Sequence, residues 1–489
     1  MLLIKNYLYN LLYQVTILVL PLITVPYISR VLGSEGVGIV EYTSAIVMYF
    51  VVFAIFGLAL YGTRTIAYYR DDLEQRNRVF WDLTYLKFVI TFISVALYLI
   101  LSLSFDSKYF MILLIQALNI LSAGIEITWF FNGMEDLQKI AVRNIATRLT
   151  GTALIFILVK TPDDIWIYVM IFSLTGVISN LVLWQYLKDY KVGFKSISFS
   201  GIKTHFVACI GLFMSSMIAI LYTYLDRTIL GSIASDSEVG HYAMANKLLM
   251  MTIGIVSCLG TVMLPRISNV FAQGNLDLVK HYTSLSFNFM VMFSIYIAAG
   301  FLGASAEFVP WFLGNDFLPV TNLLNISSFT VILIVISNVF GMQLLIPMGR
   351  EKEYNISLII GIVSLVTFSV ILVPHYKAIG TCISLVISSS ITVLCRFYFL
   401  RNILPHKAMF QEVWKYIAGG IAITLSLQYI GSLMGVGILT TCVQIIIASL
   451  IYLGILSVTR ASILDVIIEK VFKKIFDKHL KASHSEYQD

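Results

Sequence analysis

Among the ionisable side chains inside or beside long apolar runs of this sequence, eight are our candidates for chemistry. The cations are Arg30, Arg64, Lys87, Arg227 and Lys247, and the carboxylates are Glu41, Glu126 and Asp226. A charge at the centre of a membrane span costs about 2.5–3.5 kcal/mol on insertion scales, so such a residue normally faces a cavity or a partner. Because the cations predominate, we expect a cavity that prefers an anion, and arginine in particular binds phosphate through two nitrogens.

Each cation also has a purely structural explanation. Lys87 lies within reach of the inner membrane surface and Arg30 ends an apolar run, so both could simply extend toward lipid headgroups. Arg227 could do the same at the outer surface or pair with a distant residue, since Asp226 is its neighbour and points about 100° away on a helix. For Lys247 we favour a cavity, because polar residues beside it suggest a wet helix face.

Tyrosines and amides accompany these cations. Aromatic faces and hydroxyl groups suit sugar rings, although tyrosine is also enriched at membrane interfaces for other reasons. The candidate sugar contacts are Tyr42, Tyr242, Asn246 and Asn119. Two prolines, Pro21 and Pro26, lie in the first apolar run, where a proline removes a backbone donor and kinks a helix. We interpret them as a gating element or, equally well, as a static kink.

Other kinds of chemistry find little support. The sequence has no phosphate-cradling glycine loop, no H-E-x-x-H and no G-x-S-x-G motif, so we expect neither catalysis nor a cofactor. The five cysteines are scattered without metal-ligand spacing, so no metal site is expected. The net charge of +6 is interpreted as a bias in the loops, not as a signature of nucleic-acid binding.

The elements that must position these residues are membrane helices. The sequence is 58% hydrophobic and 12% charged, whereas soluble domains carry about 25% charged residues. One span needs about 20 mainly apolar residues. The predicted fold class is therefore an all-α membrane protein with about 14 transmembrane helices. They lie at residues 8–29, 37–61, 80–103, 109–131, 144–160, 165–187, 205–230, 240–264, 283–306, 318–347, 355–373, 378–400, 413–433 and 437–459.

The loops predict an orientation and a division into parts. Four of the 33 Lys and Arg residues fall in the predicted outside loops, so the positive-inside rule places both termini inside the cell. The predicted parts are a six-helix lobe at 1–190, a cytoplasmic linker at 191–204, a second six-helix lobe at 205–402, two extra helices at 403–460 and a tail at 461–489. The tail is amphipathic and is predicted to lie on the inner leaflet, with a solvated helix as the alternative.

An internal repeat supports two like halves. The stretch SRVLGSEGVGIVEYTSA from Ser29 to Ala45 is echoed by LDRTILGSIASDSEVGHYAMANK from Leu225 to Lys247. In both, an arginine precedes a Leu-Gly pair, a small and acidic loop follows, and a Val-Gly pair leads toward an aromatic residue. The two halves would be parallel repeats, with the substrate site between them near the membrane midplane.

The same stretches resemble a known family. YISRVLGSEGVGIVEYTSAI, ITWFFNGMEDLQKIAVRN and YLDRTILGSIASDSEVGHYAMANK resemble the Wzx-type polysaccharide repeat-unit flippases of the multidrug/oligosaccharidyl-lipid/polysaccharide exporter superfamily. The likeness extends over essentially the whole chain. It implies two six-helix lobes in a V around a central cavity, with two extra helices. It also implies transport of undecaprenyl-diphosphate-linked oligosaccharides from the inner to the outer leaflet, for capsule or O-antigen assembly.

The resemblance further implies a site, partners and a location. Related lipid II flippases use cationic cavity residues for the diphosphate, and Arg30 falls at a matching motif position. Lys87, Arg227 and Lys247 are assigned to the diphosphate by charge sign and depth alone. The implied partners are the lipid-linked oligosaccharide, membrane lipids and polysaccharide polymerase or assembly proteins, in the bacterial cytoplasmic membrane.

Two other functions stay open at this point. A cation-coupled multidrug antiporter of the same superfamily would typically stop at twelve spans and carry an acidic residue in span one, which this sequence lacks. A membrane-embedded glycan polymerase should have a sizeable outside loop, and every predicted outside loop is short. The coupling ion of a flippase is not indicated by any motif.

Overall fold

The computed structural model describes residues 2–193 and 199–462, which are almost entirely helical. The α-helices are α1 (Leu2–Ile55), α2 (Leu58–Tyr68), α3 (Leu73–Ser102), α4 (Ser107–Ile125), α5 (Thr128–Gly133), α6 (Leu137–Leu158), α7 (Ile165–Tyr186), α8 (Phe199–Ile233), α9 (Asp236–Ala272), α10 (Leu276–Phe312), α11 (Val320–Phe340), α12 (Glu351–Leu400), α13 (His406–Phe410), α14 (Val413–Met434) and α15 (Ile438–Val458). Short 3-10 helices lie at Pro162–Asp164, Leu187–Tyr190 and Asn315–Phe317, and a π-helical turn lies at Gly341–Leu345. These residues contain no β-strand, so the all-α prediction is confirmed. Nearly all of the predicted amphipathic tail, and part of the predicted linker, lie outside the described residues.

Eleven helical segments within the described residues are long and apolar enough to cross a membrane, which confirms a multi-pass membrane protein. Two of them, Val19–Tyr68 and Glu351–Leu400, contain 50 residues each. Such a helix is about 75 Å long, against a hydrocarbon core of about 30 Å. Glu351–Leu400 is interrupted at Lys377 (φ 48°) in α12. Val19–Tyr68 is interrupted at Gly33 (φ 67°) in α1 and again at Phe56 and Gly57, between α1 and α2.

The interruption of α1 is a glycine and not one of the predicted prolines. Pro21 and Pro26 both lie within the helix. Gly33 has a positive φ, a conformation that a residue without Cβ adopts at little steric cost. The chain therefore changes direction at the Leu-Gly pair of the repeated motif, and the gating role of the prolines stays a prediction.

The described residues divide by contacts into two compact units, the first made of residues up to 244 together with 365–381 and the second of residues 245–364 together with 382–462. The core of the first unit is built from large aromatic side chains, among them Phe80, Trp129 and Phe130. The core of the second unit includes Phe287 and Tyr452 and is formed largely by α10, α11, α14 and α15. Each unit thus has its own buried core.

The two copies of the repeated sequence contact each other within the first unit. A Cβ atom on Gly38 would lie 1.7 Å from the carbonyl oxygen of Asp236, and a Cβ atom on Gly240 would lie 2.0 Å from that of Ser34. Each of these carbonyls belongs to the residue four positions before the other glycine. Asp236 also accepts a hydrogen bond from Lys108 Nζ at 2.7 Å. Small residues let membrane helices approach this closely, so the motif glycines are contact residues.

Candidate functional site

Arg227 on α8 and Glu41 on α1 form an ion pair inside the first unit. Arg227 Nη1 lies 3.1 Å from Glu41 Oε2, and the two side chains are only 13% and 17% exposed. The guanidinium also lies over the ring of Tyr224, 5.4 Å from its centroid. Beside the pair, the hydroxyl oxygens of Tyr49 and Thr228 lie 2.8 Å apart. The arginine is therefore held among polar groups and not extended into lipid.

One donor of the Arg227 guanidinium is left unused by this pairing. Its Nε is buried and has no hydrogen-bond partner among residues 2–193 and 199–462. A guanidinium carries five N–H donors in a rigid fork, and Nε with the neighbouring terminal nitrogen can grip a phosphate with two parallel hydrogen bonds. An unpaired buried donor costs about 1–3 kcal/mol. An acceptor that reached Nε would recover that cost.

Asp226, the neighbour of Arg227 in sequence, is held by two hydrogen bonds. Its Oδ2 accepts a hydrogen bond from the Tyr242 hydroxyl at 2.5 Å, and its Oδ1 accepts one from the backbone N–H of Arg227 at 2.6 Å. The aspartate is only 2% exposed. Arg227 thus interacts electrostatically with two carboxylates, those of Glu41 and Asp226.

Lys87 on α3 donates hydrogen bonds to Glu126, which lies between the end of α4 and the start of α5. Its Nζ donates to Glu126 Oε2 at 3.0 Å and to the backbone carbonyl of Glu126 at 2.5 Å. Glu126 Oε1 in turn accepts from the backbone N–H of Thr128 at 2.5 Å, so one carboxylate spans the break. The indole of Trp184 donates to the Ile125 carbonyl at 2.7 Å. These contacts satisfy backbone groups that an interrupted helix leaves without partners.

The other predicted residues of the first unit lie in varied surroundings. Arg30 is exposed, three residues before the interruption of α1. Tyr42 is buried, and its ring packs edge-on against Tyr109 at 5.5 Å between centroids. Tyr242 is 1% exposed, and Asn119 is partly buried on α4. The structure brings Tyr242 to the Arg227 cluster and shows none of the other three contacting the Arg227 side chain.

In the second unit, two predicted residues lie on α9. Lys247 is partly buried, and Asn246 is 5% exposed. The side-chain oxygen of Asn246 is buried without a hydrogen-bond partner among the described residues. This atom could accept a hydrogen bond from a ligand hydroxyl.

Arg396 is a buried cation that the sequence analysis missed. It is 3% exposed and lies on α12. Its Nε donates to Ser357 Oγ at 2.9 Å, its Nη1 donates to the Ser337 carbonyl at 2.6 Å, and its guanidinium lies 4.6 Å from the ring centroid of Tyr354. A Cβ atom on Gly341, the first residue of the π-helical turn, would lie 2.4 Å from Arg396 Nη1. The signal available in the sequence was an arginine inside an apolar run, close to the run's end.

Two apolar cavities lie in the second unit. The larger, of about 540 Å³, is lined by α10, α11 and α14, with Phe287, Ile332 and Ile417 among its residues. The smaller, of about 230 Å³, lies against α15 and includes Gln444. Both could hold hydrocarbon. No group of three or more His, Cys, Asp and Glu side chains that could hold a metal ion occurs in the described part of the chain.

The chain is similar to proteins whose names describe polysaccharide synthesis and glycan transport. A family model described as "Polysaccharide biosynthesis protein" matches residues 3–271. A "Putative O-antigen transporter" of Escherichia coli (strain K12) is 27% identical over 406 residues, which is 81% of this chain and 96% of that protein. A "Probable low-salt glycan biosynthesis flippase Agl15" of Haloferax volcanii is 22% identical over 335 residues, which is 68% of this chain and 69% of that protein.

Solved structures of transporters share the fold. The lipid II flippase MurJ, in an inward closed conformation, matches with a TM-score of 0.72 at 16% identity, over 94% of this chain and all of that one. An inward-facing multidrug resistance transporter of the MATE family matches with a TM-score of 0.58 at 16% identity, over 81% of this chain and 94% of that one. At such identities the likeness shows the fold alone.

Proposed function

The chain belongs to the polysaccharide biosynthesis protein family, and from this premise we propose that it is a flippase for lipid-linked oligosaccharides. The substrate we propose is an undecaprenyl-diphosphate-linked repeat unit, moved from the inner to the outer leaflet by alternating access for O-antigen, capsule or exopolysaccharide synthesis. The names of the relatives, an O-antigen transporter and a glycan flippase, support this proposal. The fold shared with a lipid II flippase supports it independently of sequence identity.

The observation that carries the proposal is the unused Nε donor of Arg227. A lipid-linked oligosaccharide has a diphosphate between its sugars and its hydrocarbon chain, so a carrier needs a phosphate-binding cation at depth. Arg227 lies about 9 Å before the end of α8, at 1.5 Å per residue, and is 13% exposed. Its Nε donor, which has no partner among the described residues, could donate to a phosphate oxygen.

We propose that the other predicted cations contact the diphosphate less directly than Arg227 does. Arg30 and Lys247 would receive the diphosphate at other stages of its passage. Lys87 could bind phosphate only after its contacts with Glu126 broke, so we assign it to the substrate last. Asn246, whose buried oxygen has no partner among the described residues, would accept a hydrogen bond from a sugar hydroxyl.

The hydrocarbon chain of the substrate would lie against the second unit. Its larger cavity, of about 540 Å³, is lined by apolar residues of α10, α11 and α14. An isoprenoid chain is apolar and branched, and it fits such a surface better than it fits a polar site. We therefore propose that α14 and α15 guide the lipid while the diphosphate is held elsewhere.

We also propose fourteen passages through the cytoplasmic membrane, with both termini inside. The 50-residue segments of α1–α2 and α12 would each make two passages on either side of Gly33 and Lys377. With the 37-residue helix α9 added, the eleven candidate segments become fourteen. A dianion moving outward across an inside-negative potential gains about 2.3 kcal/mol per charge per 100 mV, so the potential could favour export without a bound cofactor.

The test replaces Arg227 together with its partner. Arg227→Ala alone would remove the cation that pairs with Glu41, so the double variant Arg227→Ala/Glu41→Gln removes both charges of the ion pair together. In proteoliposomes that hold a fluorescent polyprenyl-diphosphate-linked sugar, we expect the flipping rate to fall about ten- to hundredfold, the loss of one charge-assisted pair of hydrogen bonds. Arg78→Ala, which removes an exposed cation from α3, is the matched control and should leave the rate unchanged.

Two results would contradict the proposal. One is an unchanged flipping rate in the double variant at equal protein level. The other is wild-type protein that exports cationic dyes but leaves the lipid-linked sugar in its original leaflet, which would identify a multidrug antiporter.

A further inference from the structure

We propose that the second unit binds a phospholipid whose headgroup ends in a primary ammonium, as in phosphatidylethanolamine, and that Glu307 holds this ammonium. The site is formed by α10, α14 and α15, which all belong to the second unit, whereas Arg227 belongs to the first. The inference goes beyond the proposed function, because it concerns a lipid of the surrounding membrane and not the transported substrate.

Glu307 is a partly buried carboxylate at which three helices meet. It lies on α10, five residues before that helix ends at Phe312. Its Oε2 accepts a hydrogen bond from Gln444 Nε2 on α15 at 3.3 Å. On α14, a Cβ atom on Gly431 would lie 2.2 Å from Glu307 Oε1. The carboxylate therefore lies against the backbone of α14, at a position where only glycine leaves room for it.

Among the described residues, Glu307 is bonded to an amide and to no lysine or arginine. Residues 282–349 contain two charged residues, Glu307 and Asp316, and residues 416–459 contain none. These two ranges include all of α11 and α15 and the parts of α10 and α14 that lie near Glu307. The helices around this carboxylate thus supply negative charge and no cation.

The cations of α10, α13 and α14 lie toward the other ends of α10 and α14. Lys280 is 27 residues before Glu307 on α10, about 40 Å at 1.5 Å per residue. Lys415 is 16 residues before Gly431 on α14, about 24 Å by the same measure. The short helix α13, which carries Lys407, directly precedes α14 and so lies at the same end as Lys415.

The helix α9 also approaches this site and carries two cations within the second unit, Lys247 and Arg266. Arg266 is 14 residues after Thr252, the α9 residue that lines the neighbouring cavity, and is therefore about 21 Å further along the helix. Lys247 forms no ion pair with Glu307 among the described residues. A carboxylate within a membrane protein normally has a partner or faces a cavity, so we expect its cation to come from outside the chain.

An apolar cavity of about 230 Å³ lies beside the carboxylate. Phe308, the residue after Glu307 on α10, lines it together with Phe301, about two turns earlier. Ile445 of α15 also lines it and is 57% exposed, so the cavity opens at the surface of the second unit. A hydrocarbon chain can therefore enter it from the membrane.

Gln444 connects the carboxylate to this cavity, which it lines. The side chain is 0% exposed, and its Nε2 donates to the Leu427 carbonyl at 3.0 Å as well as to Glu307. The other atom of the amide, Oε1, is buried without a hydrogen-bond partner among the described residues. Since an unpaired buried acceptor is costly, the site gains most from a ligand that donates hydrogen bonds.

Two aromatic residues indicate that this site lies near the level of the lipid headgroups. Trp311, one turn after Glu307 on α10, donates from its indole to Thr441 Oγ1 at 2.8 Å. Tyr429, two residues before Gly431 on α14, is 67% exposed. Tryptophan and tyrosine are enriched at the membrane interface. A headgroup can therefore reach Glu307 while its hydrocarbon chains lie along the cavity.

A primary ammonium matches each of these features. It carries a positive charge and three N–H donors, and it can lie over the face of an aromatic ring. A choline headgroup has the charge but no donor, and a glycerol headgroup has donors but no positive charge. A metal ion would need about six oxygen ligands, more than one amide and one carboxylate provide. A lipid with an ethanolamine headgroup thus fits both the acceptors and the apolar cavity.

The experiment titrates the full chain, purified in a nonionic detergent, with phospholipids that share the same acyl chains and differ in their headgroups. Native mass spectrometry counts the bound lipids and gives an apparent affinity for each headgroup. We expect wild type to bind phosphatidylethanolamine about tenfold more tightly than phosphatidylcholine, which cannot form the charge-assisted hydrogen bonds. The N-methylated lipids between these two should follow the order of their remaining N–H donors.

Two variants and one soluble amine locate the ammonium. Glu307→Gln keeps the size of the side chain and removes its charge, so its affinity for phosphatidylethanolamine should fall to that for phosphatidylcholine. Asp316→Asn removes the exposed acid from the same part of the sequence, and as the matched control it should keep the preference. Free ethanolamine has the ammonium without the hydrocarbon, and at the lipid's own concentration it should not displace the lipid.

Three outcomes would overturn the inference. They are equal affinities of wild type for phosphatidylethanolamine and phosphatidylcholine, a preference that survives in Glu307→Gln, and displacement of the lipid by an equal concentration of free ethanolamine. The series of methylated lipids uses wild type alone, so the test holds even if Glu307→Gln does not fold. Because no step measures flipping, each of these outcomes leaves the flippase proposal standing.

Discussion

Replacing Lys87 by methionine tests whether this lysine supports the helix break or binds substrate. The substitution keeps the length of the side chain and removes its charge. It leaves the Glu126 carboxylate without its cation and the Glu126 carbonyl without its donor. We therefore expect the backbone around the junction of α4 and α5 to open more easily.

The magnitude follows from the burial of the two partners. Breaking a buried ion pair by removing one partner costs about 3–5 kcal/mol. Lys87 is 2% exposed but Glu126 is 23% exposed, so water solvates part of the abandoned carboxylate and lowers that cost. We expect about 2–4 kcal/mol for Lys87→Met, with most of it recovered in the double variant Lys87→Met/Glu126→Gln.

Hydrogen exchange of the backbone amides at residues 124–131 measures this opening directly. A cost of 2–4 kcal/mol corresponds to exchange that is roughly 30- to 1,000-fold faster. Lys280→Met is the control, because its ion pair with Asp277 has a similar 3.3 Å separation but is exposed and should contribute at most about 1 kcal/mol. Exchange that stays within threefold of wild type, combined with lost binding of a lipid diphosphate, would refute the structural role and make Lys87 a ligand.

Three further substitutions have defined outcomes. Gly38→Ala places a methyl group against the Asp236 carbonyl, 1.7 Å from its oxygen, so we expect little monodisperse protein after purification and no export of surface polysaccharide. Arg396→Met removes donors to two serines from a buried position and should lower stability by about 2–4 kcal/mol, measured as a lower thermal unfolding midpoint. Tyr242→Phe removes a donor from buried Asp226 and should cost about 1–3 kcal/mol in the same measurement.

Each of these three substitutions has a matched control substitution of the same residue type at another position. Gly211→Ala adds a methyl group where no atom lies within 4 Å, and it should be tolerated. Arg401→Met and Tyr376→Phe change the same residue types at exposed positions and should leave the unfolding midpoint in place. A Tyr242→Phe protein with normal stability but impaired transport would instead support the predicted contact between Tyr242 and sugar.

The sequence predicted the class of fold, but not the partners of the charged residues. Hydropathy alone indicated a helical membrane protein, because a span has to bury about 20 apolar residues. The partner of Arg227, in contrast, lies 186 positions away on α1. Periodicity within one helix carries no information about which other helix packs against it. Glu41 was therefore recognised as an ionisable residue near a span end and not as the counter-ion.

Lys87 and Arg396 show two different limits of the same reasoning. Hydropathy predicts one continuous helix for an unbroken apolar run. It therefore could not reveal that the helix is interrupted after Ile125, where Lys87 bonds to Glu126. Arg396 lies near the end of a predicted span, where an arginine ordinarily extends to the surface. Its burial depends on Ser337, on α11, and on Ser357, on the part of α12 before the interruption at Lys377. Both cases needed packing between helices.

The contact between Gly38 and Gly240 is isologous in form, as in a homodimer whose subunits present the same patch to each other. Each glycine is required by the other copy's backbone, so a larger side chain on one cannot be offset by shrinking the other. A duplicated and fused gene would inherit such a contact from a self-pairing ancestor of half the length. After fusion, the two copies can change independently. Glu41 of the first copy and Arg227 of the second copy now form an ion pair that identical copies would not require.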